Sequence, residues 1–267
     1  MLTAFNAAHG LARFPIDVTQ VAKEYSRNVF PEEPITTVEG QNFSNDFEGA
    51  LVRNPISTNE WGIFYNSGLT SKGRINFTLA HELGHYLLHR QLLENEIFCA
   101  KSDMWAWNSE YGQMESQANE FASFLLMPLD DFRLQANSIK KPKVDDFAIL
   151  AERYESSITA TILKWLEITT KRAMLVVSKD GFIDWSWSSK PLLRSGVYFR
   201  AKQKTIELPA KSLAAQGQSI AAIEGDWLPA GIWADHEEVF ETVLFSEFHN
   251  QAISLLVYPN IPPIFDQ

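Results

Sequence analysis

Residues 77–89, FTLAHELGHYLLH, place Phe77, Leu79, Ala80, Leu83, Leu87 and Leu88 at mixed three- and four-residue spacing. That pattern predicts a helix buried on most of its sides. Residues 115–128, ESQANEFASFLLMP, carry a second helical stripe of Ala118, Phe121, Ala122, Leu125 and Leu126, which Pro128 closes. Upstream, Ile16–Tyr25 reads as a short amphipathic helix with Pro15 near its start. Residues 31–46, rich in Pro, Glu, Asn and Ser, read as loop or weak strand. Phe47–Val52 and Trp61–Asn66 read as short strands, with Asn54-Pro55 and Ser67-Gly68 as turn signals. Residues 94–114 set Trp105, Trp107 and Tyr111 among polar neighbours and read as a loop, either a lid or an aromatic satellite core.

Downstream, Phe147, Leu150, Ala151 and Tyr154 share one helix face. Ser156 or Ser157 can cap a following helix that carries Ile158, Ile162, Leu163 and Leu166. From Lys171 the period changes. Ala173–Val177 and Phe182–Trp187 are strands around an Asp180-Gly181 turn, and Trp233–Glu237, Val239–Glu247 and Ile253–Tyr258 are further strand candidates. The tryptophans of this region fit an aromatic core or a ligand surface. No Gly-rich phosphate loop, internal repeat or low-complexity segment is present.

Composition narrows the class. A chain of 267 residues with 45% hydrophobic content holds a full core and is long enough for two domains. The net charge of −10 argues against direct nucleic-acid binding, which needs a basic face. The single cysteine, Cys99, excludes an intrachain disulfide and reads as a small packed side chain. MLTAFNAAHGLARFP lacks a basic n-region and an unbroken apolar core, so neither a signal peptide nor a membrane span is expected, and the expected location is cytoplasmic.

The chemistry is concentrated at His81-Glu82-Leu83-Gly84-His85, an H-E-x-x-H pattern. On a helix the two imidazoles lie about 40° apart around the axis and one turn apart along it, a geometry that suits two nitrogens on one Zn²⁺. Glu82 then stands where a carboxylate can reach a water on the metal. The third ligand is expected to be Glu115, with Asn119 on the same face accepting a hydrogen bond from a ligand histidine. A solvated Glu115 at a helix N-terminus is the alternative, and Glu120 is the competing carboxylate. Ala118 and Ala122 would let the two helices pack closely, and Gly84 would admit a neighbouring backbone. Tyr65, Tyr86 and His89 are candidates for oxyanion stabilisation by proximity. His89 otherwise reads as a cap or cation at the helix C-terminus.

GRINFTLAHELGHYLLH followed by ESQANEFASFLLMP resembles the ImmA/IrrE family of intracellular zinc metallopeptidases. FPIDVTQVAKEY, DFEGALVRNP and WGIFYNSG resemble that family's opening helix and the strands before its metal helix, so the likeness covers roughly residues 11–170. The resemblance implies His81, His85 and Glu115 as zinc ligands and Glu82 as the catalytic carboxylate. It implies a helix-turn-helix repressor as substrate, in stress response or transcription regulation. In zincin-like sites an extended substrate can pair with a strand edge; Trp61–Asn66 is the candidate, an internal strand the alternative.

The expected fold is α+β. Residues 1–142 form a zincin-like metallopeptidase domain, 143–170 a helix-turn-helix-like segment, and 171–267 a β-rich sensor or substrate-docking domain. Between Val144 and Ile168, Arg153 and Lys164 face Asp145, Asp146, Glu152, Glu155 and Glu167, so packing or docking suits that segment better than reading DNA. The expected function is zinc-dependent endopeptidase cleavage of a cytoplasmic regulatory protein, with Glu82 as general base toward a zinc-activated water. The alternatives are a non-catalytic zinc-binding regulator acting by protein binding and a broad-specificity intracellular peptidase.

Overall fold

The computed structural model describes residues 13–44, 47–57, 59–92, 96–100, 110–201, 203–246 and 250–260, with three isolated positions before them. The chain divides into two compact units: residues 1–132 with 152–156, and residues 133–151 with 157–267.

In the first unit, helix α1 (Val18–Val29) starts at Asp17, whose carboxylate accepts from the Gln20 amide at 2.9 Å. Val18, Val21 and Ala22 bury its apolar stripe. Strands β1 (Ile35–Gln41), β2 (Phe47–Arg53), β3 (Trp61–Asn66) and β4 (Glu96–Ala100) form a sheet in the order β1-β3-β2-β4. The β1–β3 pair is parallel, whereas β2 runs antiparallel to both β3 and β4. Helix α2 (Lys72–His89) begins at Ser71, and helix α3 (Glu110–Leu126) packs beside it. Residues 78–86 of α2 are all buried, as the dense apolar run anticipated.

Several open readings are resolved here. Of the stretch read as loop or weak strand, residues 35–41 are strand β1, because Ile35 is buried in the core and the segment pairs along β3. β3 is internal, bonded to β1 on one side and β2 on the other, so it offers no free edge to an extended substrate. The 94–114 loop contains β4 and the start of α3, with Tyr111 inside that helix. Trp105 and Trp107, and with them the lid, lie outside the described residues, as does the Cys99 side chain.

Helices α4 (Leu129–Asn137) and α5 (Val144–Tyr154) straddle the division between the units. In the second unit α6 (Ile158–Ile168) follows α5; Ser157 caps it, accepting from the Ala160 amide at 3.0 Å. Phe147 meets Trp165 at 5.3 Å between ring centroids, joining the two helices. An antiparallel sheet follows, of β5 (Ala173–Lys179), β6 (Phe182–Ser188), β7 (Asp226–Leu228), β8 (Val239–Ser246) and β9 (Gln251–Val257) in the order β6-β5-β9-β8-β7. Asp180 and Gly181 take positive φ of 50° and 82° in the β5–β6 turn, the conformation tight hairpins require. Residues 233–237 are irregular rather than a strand. Trp233 is drawn into the core, and its indole N–H donates to the buried Glu241 carboxylate at 2.8 Å. The Leu213 amide and Ser254 hydroxyl also donate to Glu241, so a buried carboxylate, its pKa raised by burial, ties three segments together.

Candidate metal centre

Helix α2 sets His81 and His85 one turn apart with their Nε2 atoms 3.0 Å from each other. From α3, the Glu115 carboxylate reaches both: Oε2 lies 3.2 Å from His81 Nε2 and Oε1 3.2 Å from His85 Nε2. One ligand atom from each residue falls within 4.8 Å of the others, and all three side chains are buried. The close approach of α2 and α3 is made at Gly84. A Cβ there would stand 3.1 Å from Ala118 Cα and 3.2 Å from the Ala118 carbonyl oxygen, backbone atoms that cannot swing aside. Gly84→Val is therefore expected to destabilise the unit by about 1–3 kcal/mol through overpacking. Chemical denaturation measures that, and metal retention should fall with it as Glu115 is pushed from the histidines.

The donor set fits a cation. His81 Nδ1 lies 3.0 Å from Asn119 Oδ1. A carbonyl oxygen only accepts, so His81 carries its proton on Nδ1 and turns the lone pair of Nε2 inward. That lone pair, the second imidazole and a carboxylate converge in a buried space, and such a group is stable when a positive ion sits among it. Protons can partly serve in its place. Burial opposes charge on His81, but the Glu115 hydrogen bond and the Glu82 and Glu115 charges outweigh it and raise its pKa. For His85 burial prevails, helped by the neighbouring His81 and His89, and its pKa is lowered. Burial pushes the Glu115 carboxyl up, yet hydrogen bonds to both histidines hold it well below the ordinary range. Two nitrogens and a carboxylate oxygen suit zinc or a similar first-row divalent ion.

Glu82 is fully buried beside this group. Strand β2 approaches it at Gly49, where a Cβ would come within 2.8 Å of Glu82 Oε1 and closer still to the Thr78 methyl. Gly49 therefore leaves room for that carboxylate, a requirement the sequence pattern gave no means to see. Gly49→Val is expected to displace Glu82 while sparing the ligands. Metal content should stay at the wild-type level, and any turnover that uses the Glu82 carboxylate should fall by about 100-fold, the usual scale for a misplaced reacting group.

Other candidates part from this cluster. Glu120 is exposed. Tyr86 donates its hydroxyl to the Glu33 carbonyl at 2.7 Å, and burial pushes its pKa up to about 12, so it is committed to the core. The Tyr65 ring lies over Gly40. His89 is buried with both ring nitrogens engaged: Nδ1 is 3.1 Å from His85 Nδ1 and Nε2 2.9 Å from Gln117 Oε1. It has no nitrogen left for capping. Gln117 escaped sequence reasoning, although the continuation of H-E-x-x-H by a further H at the same four-residue step was a readable signal.

The family described as Peptidase_M78, IrrE N-terminal-like domain, matches residues 32–165. That span begins just before β1 and ends within α6, and it contains every residue of the cluster. No curated protein matches the chain. A solved structure titled "Mycobacterium tuberculosis transcriptional regulator" aligns with a TM-score of 0.55 at 16% identity, over 96% of this chain and 74% of that one. At that identity the likeness establishes a shared fold.

Proposed function

The chain belongs to the Peptidase_M78 (IrrE N-terminal-like) family of metallopeptidases, hydrolases of peptide bonds, and from that premise we propose that it is a zinc-dependent endopeptidase cutting a regulatory protein, a helix-turn-helix repressor. The carrying observation is the buried His81–His85–Glu115 group with Glu82 against it. His81, His85 and Glu115 would hold the zinc, and Asn119 orients His81. Three protein ligands are the pattern of a catalytic rather than a structural zinc site. When bound, zinc supplies Lewis acidity, which acidifies a water and polarises the scissile carbonyl. Glu82 takes the proton of the attacking water and returns it to the leaving amine. Its position beside the ligands speaks against a purely binding regulator, which has no use for a carboxylate there. The net charge of −10 suits a basic partner such as a DNA-binding repressor. The described helices include none long and apolar enough to cross a membrane.

The test is incubation of the zinc-loaded chain with a panel of helix-turn-helix repressors and, separately, with casein. Cleavage of one repressor at a single position, abolished by chelator and restored by zinc, is the expected result. General digestion of casein would replace this reading with a broad-specificity peptidase, and no cleavage of either would overturn it.

A further inference from the structure

The geometry points to a hydrogen-bond relay from Gln117 through His89 that holds His85 in the one tautomer able to bind metal through Nε2. Its links are short: Gln117 Oε1 to His89 Nε2 at 2.9 Å, then His89 Nδ1 to His85 Nδ1 at 3.1 Å. His85 Nε2 then faces His81 and Glu115.

The protons can be placed by elimination. Gln117 Oε1 is a carbonyl and only accepts, so His89 carries its proton on Nε2. A neutral imidazole has one N–H, which leaves His89 Nδ1 as an acceptor. His85 must then donate from its own Nδ1, and its Nε2 is left with a lone pair aimed at the ligand cluster. The reverse arrangement would put a proton on His85 Nε2 and block it as a ligand. His85 and His89 are both buried, so the choice is not averaged away by solvent. The outer end, Gln117, is exposed, and the whole setting of the relay rests on which atom it presents.

The arrangement has a parallel on the other ligand, since Asn119 does for His81 directly what Gln117 does for His85 through His89. One stretch of α3, Glu115-Ser116-Gln117-Ala118-Asn119, thus supplies a ligand and both tautomer controls. Gln117 and His89 are positioning residues: they touch neither the metal nor the substrate. The inference rests on His81, His85 and Glu115 being the metal ligands.

The experiment compares the full-length wild type with His89→Asn, His89→Leu, Gln117→Glu and Gln117→Lys. Each is titrated with zinc against a chromophoric chelator. Each metal-free protein is also examined by long-range ¹H–¹⁵N NMR of the histidine rings, which reports the tautomer directly. Asparagine can keep an acceptor near the position of His89 Nδ1, and glutamate keeps one at Gln117. Both variants should bind zinc close to wild type, with His85 as the Nδ1–H form. Leucine removes the acceptor, and zinc affinity should fall by about 10–100-fold, the usual effect of losing a hydrogen bond behind a metal ligand. Lysine at the exposed position offers only donors, so it should shift the His85 signals toward the Nε2–H form and weaken zinc binding. The added charge could weaken zinc binding by itself, so the relay is read from the tautomer, and from the uncharged His89→Leu and His89→Asn pair in particular. A wild-type His85 in the Nε2–H form, or Leu and Lys variants with unchanged tautomer and affinity, would overturn the relay. A wild type that takes up no zinc would instead sink the proposed function, and the ring spectra would still decide the relay.

Discussion

Glu82→Gln should keep its metal and lose its turnover. Glutamine has nearly the shape of glutamate, so it fits the space that Gly49 leaves beside Thr78, and His81, His85 and Glu115 are untouched. What disappears is the group proposed to accept a proton from the attacking water. General-base catalysis contributes about 10²–10⁴-fold, so kcat should drop by that factor. KM should change little, because the substituted atom acts on the proton and not on substrate contacts. Elemental analysis of the purified variant, beside steady-state cleavage of whichever repressor of the panel the wild type cuts, checks both halves. Retained activity would remove Glu82 from the mechanism; lost metal would mean that it serves the ligand cluster instead.

Glu115→Ala should lose the metal itself. The carboxylate would supply one of three ligands, and it lies 3.2 Å from the Nε2 atoms of both His81 and His85. Removing it leaves two imidazole nitrogens 3.0 Å apart with no anion between them. Zinc affinity should therefore fall by more than the about 10–100-fold that follows loss of an outer hydrogen bond. Competition with a chelator measures this, and activity should vanish in parallel. The contrast with Glu82→Gln is the useful part: one variant separates chemistry from metal binding, whereas the other abolishes both. If Glu115→Ala bound zinc as tightly as wild type, a carboxylate outside the described cluster would have to be the third ligand.

The helices of the centre were legible because their periodicity is strong. Leu83, Ala118 and Ala122 mark the buried faces, and Glu115 and Asn119 share one side of a turn. Chain ends of elements were less so: α2 begins at Lys72, five residues before the apolar run, because Ser71 supplies a cap that the run itself does not announce. Strand β1 read only as loop or weak strand in a stretch of Pro, Glu, Asn and Ser, since its burial is confined largely to Ile35 and its order comes from pairing with β3. Trp233 misled in the opposite direction. An aromatic, β-prone segment was pulled out of extended pairing by the indole's hydrogen bond to Glu241.

The sequence by itself determined how the candidate groups are placed: a helix carrying two imidazoles and a carboxylate at fixed angles, and a second helix carrying another carboxylate with an amide one turn on. Helical spacing is a local property, so it needs no knowledge of the remaining chain. The tertiary structure decided what lies between elements. It put Gly49 of one strand against Glu82, took the edge from β3 by pairing it on both sides, and turned His89 from a helix-end cation into a link between His85 and Gln117. Each of these depends on residues 28 or more positions apart meeting in space, or on which strands are neighbours, and no local period encodes that.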